Sequence, residues 1–358
     1  MADSLLPVVP AAAEPPAQEA ARGKGGLSSW LLGRVDLLLR LGLLIIIIIA
    51  GVFFTLATIP QGENITQATY ISAGNLQDIA RQMAVIGVIA IGETFVIITA
   101  GIDLSVGSLL GMCGIMFALM SVAGWPIVLA LLGVLAFALL IGLINGLLVS
   151  TAGVPPFIVT LGFLGILRGG AYLLSGGTNS ALTPDASTPP LAQWAEGTYL
   201  GIPTLFLILA AVAIVSYIFL RFTRRGRYIY AQGSNPESAR LAGINVRATL
   251  LTVYAISGLL AGVAGVMLTL RLNGANPNNG LSYELDAIAA AVLGGASLFG
   301  AKGTILGTFL GVLLVNMLAI GIDLVNVDPH LQQVIEGALL IVIVWLDQWR
   351  KRRLISAV

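Results

Sequence analysis

"LGLLIIIIIAGVFFTLA" (41–57) decides which solvent this chain folds in. An unbroken apolar run of that kind is close to what one helix needs to cross a hydrocarbon core of about 30 Å. The same texture returns along the chain: 57% of its 358 residues are hydrophobic and 10% are charged, against roughly 25% charged in ordinary soluble domains. The sequence therefore reads as an all-α integral membrane protein. A net charge of +1 leaves no basic excess to release counterions from a nucleic acid, so no nucleic-acid partner is expected. Cys113, alone of its kind, sits in an apolar run and reads as a structural thiol. Upstream, "PVVPAAAEPPAQEAARGKGG" (7–26) is rich in Pro, Ala and Gly without an apolar period, and residues 1–36 are expected to form a disordered cytoplasmic tail. Acidic and proline residues precede the first apolar run, and no small-residue cleavage site follows it closely. It is therefore read as a retained helix and not as a signal peptide.

Breaking the apolar stretches at Gly, Pro and charge clusters predicts about ten crossings, near 37–58, 82–100, 104–123, 126–149, 156–174, 202–220, 249–270, 285–300, 303–323 and 331–347, within a membrane domain of 37–349. Loops expected inside carry Arg22, Lys24 and Arg34, then Arg221 through Arg247, then Lys302, then the basic C-terminus 350–358 with Arg350, Lys351, Arg352 and Arg353. Loops 59–78, 175–201 and 324–330, expected outside, contain no Lys or Arg. That asymmetry places both termini in the cytoplasm of a multi-pass inner-membrane protein. The stretch 285–300 is the weak element at about 24 Å if fully helical. It is either a distorted crossing or a broken one, and a crossing keeps the basic terminus inside. "TAGIDLSVGSLLG" (99–111) and "LGGASLFGAKGTILG" (293–307) resemble each other, which an internal duplication or chance would explain.

"RRGRYIYAQGSNPESARLAGINVR" (224–247), in the expected cytoplasmic loop 221–248, is too polar for the bilayer. Ser234 and Glu237 match a capping box, Pro236 suits a first helical turn and Gly243 suits a left-handed stop, so a short helix over 235–242 is predicted. A helix that short needs a packing partner, naturally another subunit. The arginines ahead of it read as an anchor on the anionic inner leaflet, and both readings stand together.

"GIDLSVGS" (101–108), "GRYIYAQGSNPESARLAGINV" (226–246) and "YELDAIAAAVLGGASLFGAKGTILGT" (283–308), in this order, resemble the inner-membrane permease of ribose-type carbohydrate ATP-binding-cassette importers. The resemblance runs over about 37–349. It implies a layout similar to cobalamin-type importers, a second permease subunit that is identical or a paralogue, a cytoplasmic ATPase pair and a periplasmic sugar-binding protein. It also implies that Ser234, Asn235, Pro236, Glu237, Arg240, Leu241 and Gly243 form the coupling helix docking on the ATPase. The residues agree that ATP is hydrolysed elsewhere: a phosphate loop needs G-x-x-x-x-G-K-[ST], and the nearest approach, "GASLFGAKGT" (295–304), has Ala301 at the lysine position. ATP and Mg are thus expected on the partner, with no catalytic residue, metal or cofactor on this chain.

Polar groups inside spans are candidates for the translocation path. Glu93 stands out, with its bland reading a protonated carboxyl bonded to a neighbouring helix; Asn145, Thr160 and Asn316, and Arg168 beside them, are pathway groups or helix-to-helix hydrogen bonds. In "GIDLSVGS", Asp103 is expected to cap the helix that follows, Gly101 and Gly107 to permit a turn and close approach, and Ser105 to belong to the same structural motif. Arg271, Glu284 and Asp286 around 273–282, and Trp194 and Tyr199 in 175–201, are docking groups for the binding protein or an ordinary solvated surface. Two other functions fit the composition: a proton-coupled secondary transporter using Glu93, and a branched-chain amino-acid permease of related architecture. The motif pair "GIDLSVGS" and "NPESARLAGI" favours sugar.

Overall fold

A computed structural model describes residues 25–60, 64–182 and 188–328, with scattered positions between 331 and 345. Residues 1–24, the basic C-terminus and most of the expected tenth crossing lie outside the described residues. The chain divides into two compact units, 1–42 and 43–358. In the first, residues 25–42 are the start of helix α1 (Gly25–Ala57), which thus begins inside the stretch expected as a tail.

The second unit is helical almost throughout. Its helices are the remainder of α1, then α2 (Ala73–Ile98), α3 (Val106–Val122), α4 (Ile127–Ser150), α5 (Pro156–Ser175), α6 (Thr188–Glu196), α7 (Thr204–Phe222), α8 (Arg224–Ser234), α9 (Pro236–Leu241), α10 (Val246–Arg271), α11 (Tyr283–Leu293) and α12 (Ile305–Leu324). Six of them, α2, α4, α5, α7, α10 and α12, are long and apolar enough to cross a membrane. The apolar part of α1, Leu41–Ala57, and α3 are shorter. Element α11 is 11 residues long, about 16 Å at 1.5 Å per residue, and cannot cross alone. It stops where Gly294 and the left-handed Gly295 (φ +93°) turn the chain back.

Burial sorts the long helices. In α2, 89% of the apolar window is buried, whereas in α5 and α7 it is 22%. A helix that is apolar all round and buried all round is a central column; α7, α10, α11 and α12 pack around α2, and α3 and α4 pack on α10. Without a hydrophobic drive between helices in lipid, close contact depends on small residues. At the crossing of α4 and α10, a Cβ on Gly142 would run into the Tyr254 carbonyl, so only glycine lets the two backbones touch there.

The turns fall into two groups. One joins β1 (Ser180–Ala181) to β2 (Gly274–Ala275), Glu196 to Arg81 and Asn273, and Tyr70 to the Met317 carbonyl. The other joins the α2–α3 turn to α8 and the α11–α12 turn. Helices α2 and α7 run from the first group to the second, and α10 and α12 run back. This is the alternation expected from the sequence.

Gly142→Leu is expected to destabilise the protein by about 1–3 kcal/mol through overpacking, read as a lower melting temperature in detergent. Gly165→Leu on α5, where a Cβ meets nothing within 4 Å, should leave the melting temperature near wild type.

Candidate functional site

The break between α2 and α3 gathers most of the buried polar side chains named from the sequence. Ala100 adopts a left-handed conformation (φ +62°), and the chain then runs through Asp103 to Ser105, the residue before α3. Asp103, 1% exposed, accepts from the Ser105 amide (3.0 Å) and hydroxyl (2.6 Å) with Oδ1 and from the Ser257 hydroxyl of α10 (2.9 Å) with Oδ2. The Asp103 amide donates to Glu93 Oε1 of α2 at 3.1 Å, and Glu93 is fully buried. Asn145 of α4 donates to the Ser105 hydroxyl (3.0 Å), and the Thr160 hydroxyl of α5 is shared between the Pro156 carbonyl of its own helix (2.9 Å) and the Ile102 carbonyl (3.1 Å). One turn is thereby tied to α2, α4, α5 and α10. Three oxygens around it lack a partner: Glu93 Oε2, Asn145 Oδ1 and the Tyr254 hydroxyl.

A second set closes the α10–α11 connection. Arg168 donates to the carbonyls of Pro277 (2.5 Å) and Asn279 (2.9 Å), and the Tyr172 hydroxyl donates to Asn278 Oδ1 (2.5 Å). Gly107 leaves room for the Glu284 carboxyl and the Gly280 carbonyl, and Glu284 is buried within electrostatic reach of Arg168.

The third set faces outward. Proline keeps the residue before it out of the α region, so Asn235 is extended (φ −158°), α8 ends at Ser234, and α9 begins at Pro236 with the Asn235 side chain accepting from the Ser238 amide (3.0 Å). Arg240 donates to both Glu237 oxygens (2.6 and 3.2 Å) and holds that carboxyl below the usual range. Leu241 is 78% exposed and Ala239 is buried. Gly243 (φ +80°) ends the helix as expected, its amide donating to the Arg240 carbonyl. Beneath α9, Gly233 passes so close to the Ile98 carbonyl that no Cβ fits; Ile98 also accepts from the Ala301 amide (2.9 Å), and the Tyr230 hydroxyl donates to the Gly303 carbonyl (2.8 Å). The α8–α9 unit therefore rests on both interior turns.

A family model described as branched-chain amino acid transport system / permease component matches residues 75–344. The chain belongs to this family of ABC importer permeases. The permease is 39% identical over 280 residues to the ribose import permease RbsC of Haemophilus influenzae, covering 78% of this chain and 87% of that one. It is 40% identical over 283 residues to RbsC of Escherichia coli, with the same shares. To the xylose transport system permease XylH of Escherichia coli it is 34% identical over 346 residues, covering 80% and 88%. A solved chain described as a metal-chelate type ABC transporter in an inward-facing conformation superposes with TM-score 0.51 at 14% identity, covering 87% of this chain and 99% of that one. That likeness shows the fold alone. Family and apolar helices together make the permease a multi-pass protein of the bacterial inner membrane.

Several sequence expectations are corrected. The Ser234–Glu237 capping box does not form: Ser234 is the last residue of α8, Asn235 is the cap, and Glu237 turns to Arg240. The helix is Pro236–Leu241, not 235–242. Asp103 does not cap α3: Ser105 is the N-cap and no side chain bonds a helix amide there, while Asp103 instead takes the Ser105 amide ahead of the helix and binds across to α10. Glu284, expected near the surface, is buried. Asn316 stands apart, donating to its own helix at the Val312 carbonyl (2.9 Å). Ser257 and Tyr254 were missed. The only signal for them is a small hydroxyl and a tyrosine inside a glycine-rich apolar run, "YAISGLLAG" (254–262).

Asp103→Ala leaves the Ser105 and Ser257 donors unserved, and each orphaned group costs about 1–3 kcal/mol. A double-mutant cycle with Ser257→Ala, read by detergent melting, should show the two losses to be non-additive by about 1 kcal/mol.

Proposed function

We propose that this permease is the membrane subunit of an ATP-driven importer carrying a monosaccharide, a pentose, hexose or sugar alcohol, from a periplasmic binding protein to the cytoplasm by alternating access. Ribose- and xylose-named relatives at 34–40% identity support the substrate class over a branched-chain amino acid. In this reading ATP and Mg are bound and hydrolysed by a cytoplasmic ATPase, a second permease subunit completes the path, and this chain binds no cofactor. About ten crossings in a cobalamin-type layout with both termini cytoplasmic fit the cation asymmetry, and the likeness to a solved ABC transporter chain supports the layout.

The single observation that carries the coupling role is the pairing of an exposed α9 with a wedged α8. Asn235, Pro236 and Gly243 define the ends of α9, Glu237, Arg240 and Leu241 face outward, and Ser234 joins it to α8. A push on α9 would pass through Asn235 to α8, whose Gly233 lies directly against Ile98. The turn that would move is the one braced by Glu93, Asn145 and Thr160. These are therefore the polar groups it would offer to a passing sugar, with Asn316 the remaining candidate. High affinity would then reside in the binding protein.

Leu241→Asp with Arg240→Ala removes an apolar anchor and a charge from α9 without touching its buried side. ATP hydrolysis by the partner ATPase reconstituted with this variant should lose about tenfold or more of its permease-dependent rate, as expected for a truncated hot spot, while the variant melts like wild type. Unchanged assembly and hydrolysis would reduce the loop to a basic membrane anchor.

A further inference from the structure

We propose that Glu93, Asp103, Asn145 and Tyr254 hold one buried monovalent cation of sodium size. The inference does not depend on which solute is carried. Glu93 and Asp103 are joined through the Asp103 amide and are 0% and 1% exposed. No ion pair reaches either carboxylate among the described residues, where the ion pairs are Arg81–Asp78 and Arg240–Glu237. Arg168 acts on Glu284. The Ser105 amide and the Ser105 and Ser257 hydroxyls favour a negative charge on Asp103, whereas no group of opposite charge faces the Glu93 carboxyl among the described residues, and an unpaired charge there is expensive.

The unpartnered atoms point the same way. Glu93 Oε2, Asn145 Oδ1 and the Tyr254 hydroxyl are all oxygens on residues at most 1% exposed. The Asn145 amide head is held on the cluster by its bond to Ser105, and the Tyr254 hydroxyl lies against Gly101 in the same turn. A donor set of oxygens alone suits a hard cation. No group of three or more His, Cys, Asp or Glu gathers among the described residues, so the site lacks the thiolates, imidazoles or carboxylate cage of transition-metal and calcium sites. Two carboxylates with an amide oxygen and a hydroxyl, at a break in a helix, suit a monovalent ion. A proton on Glu93 would serve that one oxygen and leave Asn145 Oδ1 and the Tyr254 hydroxyl unmet, whereas a cation serves all three.

The test is thermal melting of the full-length, detergent-purified permease in sodium chloride and in choline chloride at constant ionic strength. The melting temperature should rise by several degrees with sodium and saturate. In Glu93→Gln and in Tyr254→Phe, the sodium shift should vanish or need at least tenfold more salt. Tyr254→Phe deletes only an unpartnered hydroxyl, so it keeps the test decisive should the Glu93 variant fail to fold. Equal melting of wild type in both salts would overturn the proposal. So would a sodium shift of full size in either folded variant, because the ion would then lie elsewhere.

Discussion

Hydrocarbon offers no hydrogen bonds, so a helix that breaks inside it has to close the break with its own side chains. The α2–α3 turn of this permease lies at the end where α8 packs, yet its polar side chains are buried and it meets the same demand, beside α2, of whose apolar window 89% is buried. Asp103 meets the requirement by serving two donors of Ser105 and one of Ser257, while Glu93 takes the Asp103 amide. The remaining helices are arranged around that solution. Asn145 and Thr160 reach it from α4 and α5, and α10 can carry Ser257 to it because glycine keeps α4 and α10 close.

The same turn is where the polar face of the protein meets its interior. The Ile98 carbonyl accepts from Ala301 and lies under Gly233. The ends of α2 and α8 and the α11–α12 turn are therefore one contact. Left-handed alanines at Ala100 and Ala301 mark both interior turns (φ +62° and +64°). An outward helix with an exposed leucine, standing on such a contact, is suited to receive force and poorly suited to bind a solute. The proposed substrate class accordingly rests on the relatives and the proposed coupling role on the geometry.

Apolar runs and their breakers were enough to place α4, α5, α7, α10 and α12; at α4 and α5, for example, Pro126 and Pro155 open the helices and Gly176 closes the second by local chemistry that the sequence displays. Other features depended on competition or distance. The S-x-x-E match at Ser234 lost to the proline two residues on, which forces Asn235 out of the helix and makes it the cap. Element α8 was masked by its arginines, which read as an anchor. Ser257 meets Asp103 from 154 residues away, a pairing no local pattern reveals. Glu284 looked external because its chain neighbours are polar, yet the 276–282 segment folds inward onto Arg168 and α3.

Solute uptake into proteoliposomes tests the central claim most directly. The vesicles would contain the permease, its partner ATPase and the binding protein, with labelled ribose and xylose supplied outside and ATP enclosed. The account predicts uptake of at least one of the two sugars that requires ATP hydrolysis and the binding protein and is indifferent to a protonophore. Uptake by the permease alone that follows the proton gradient and ignores ATP would contradict it.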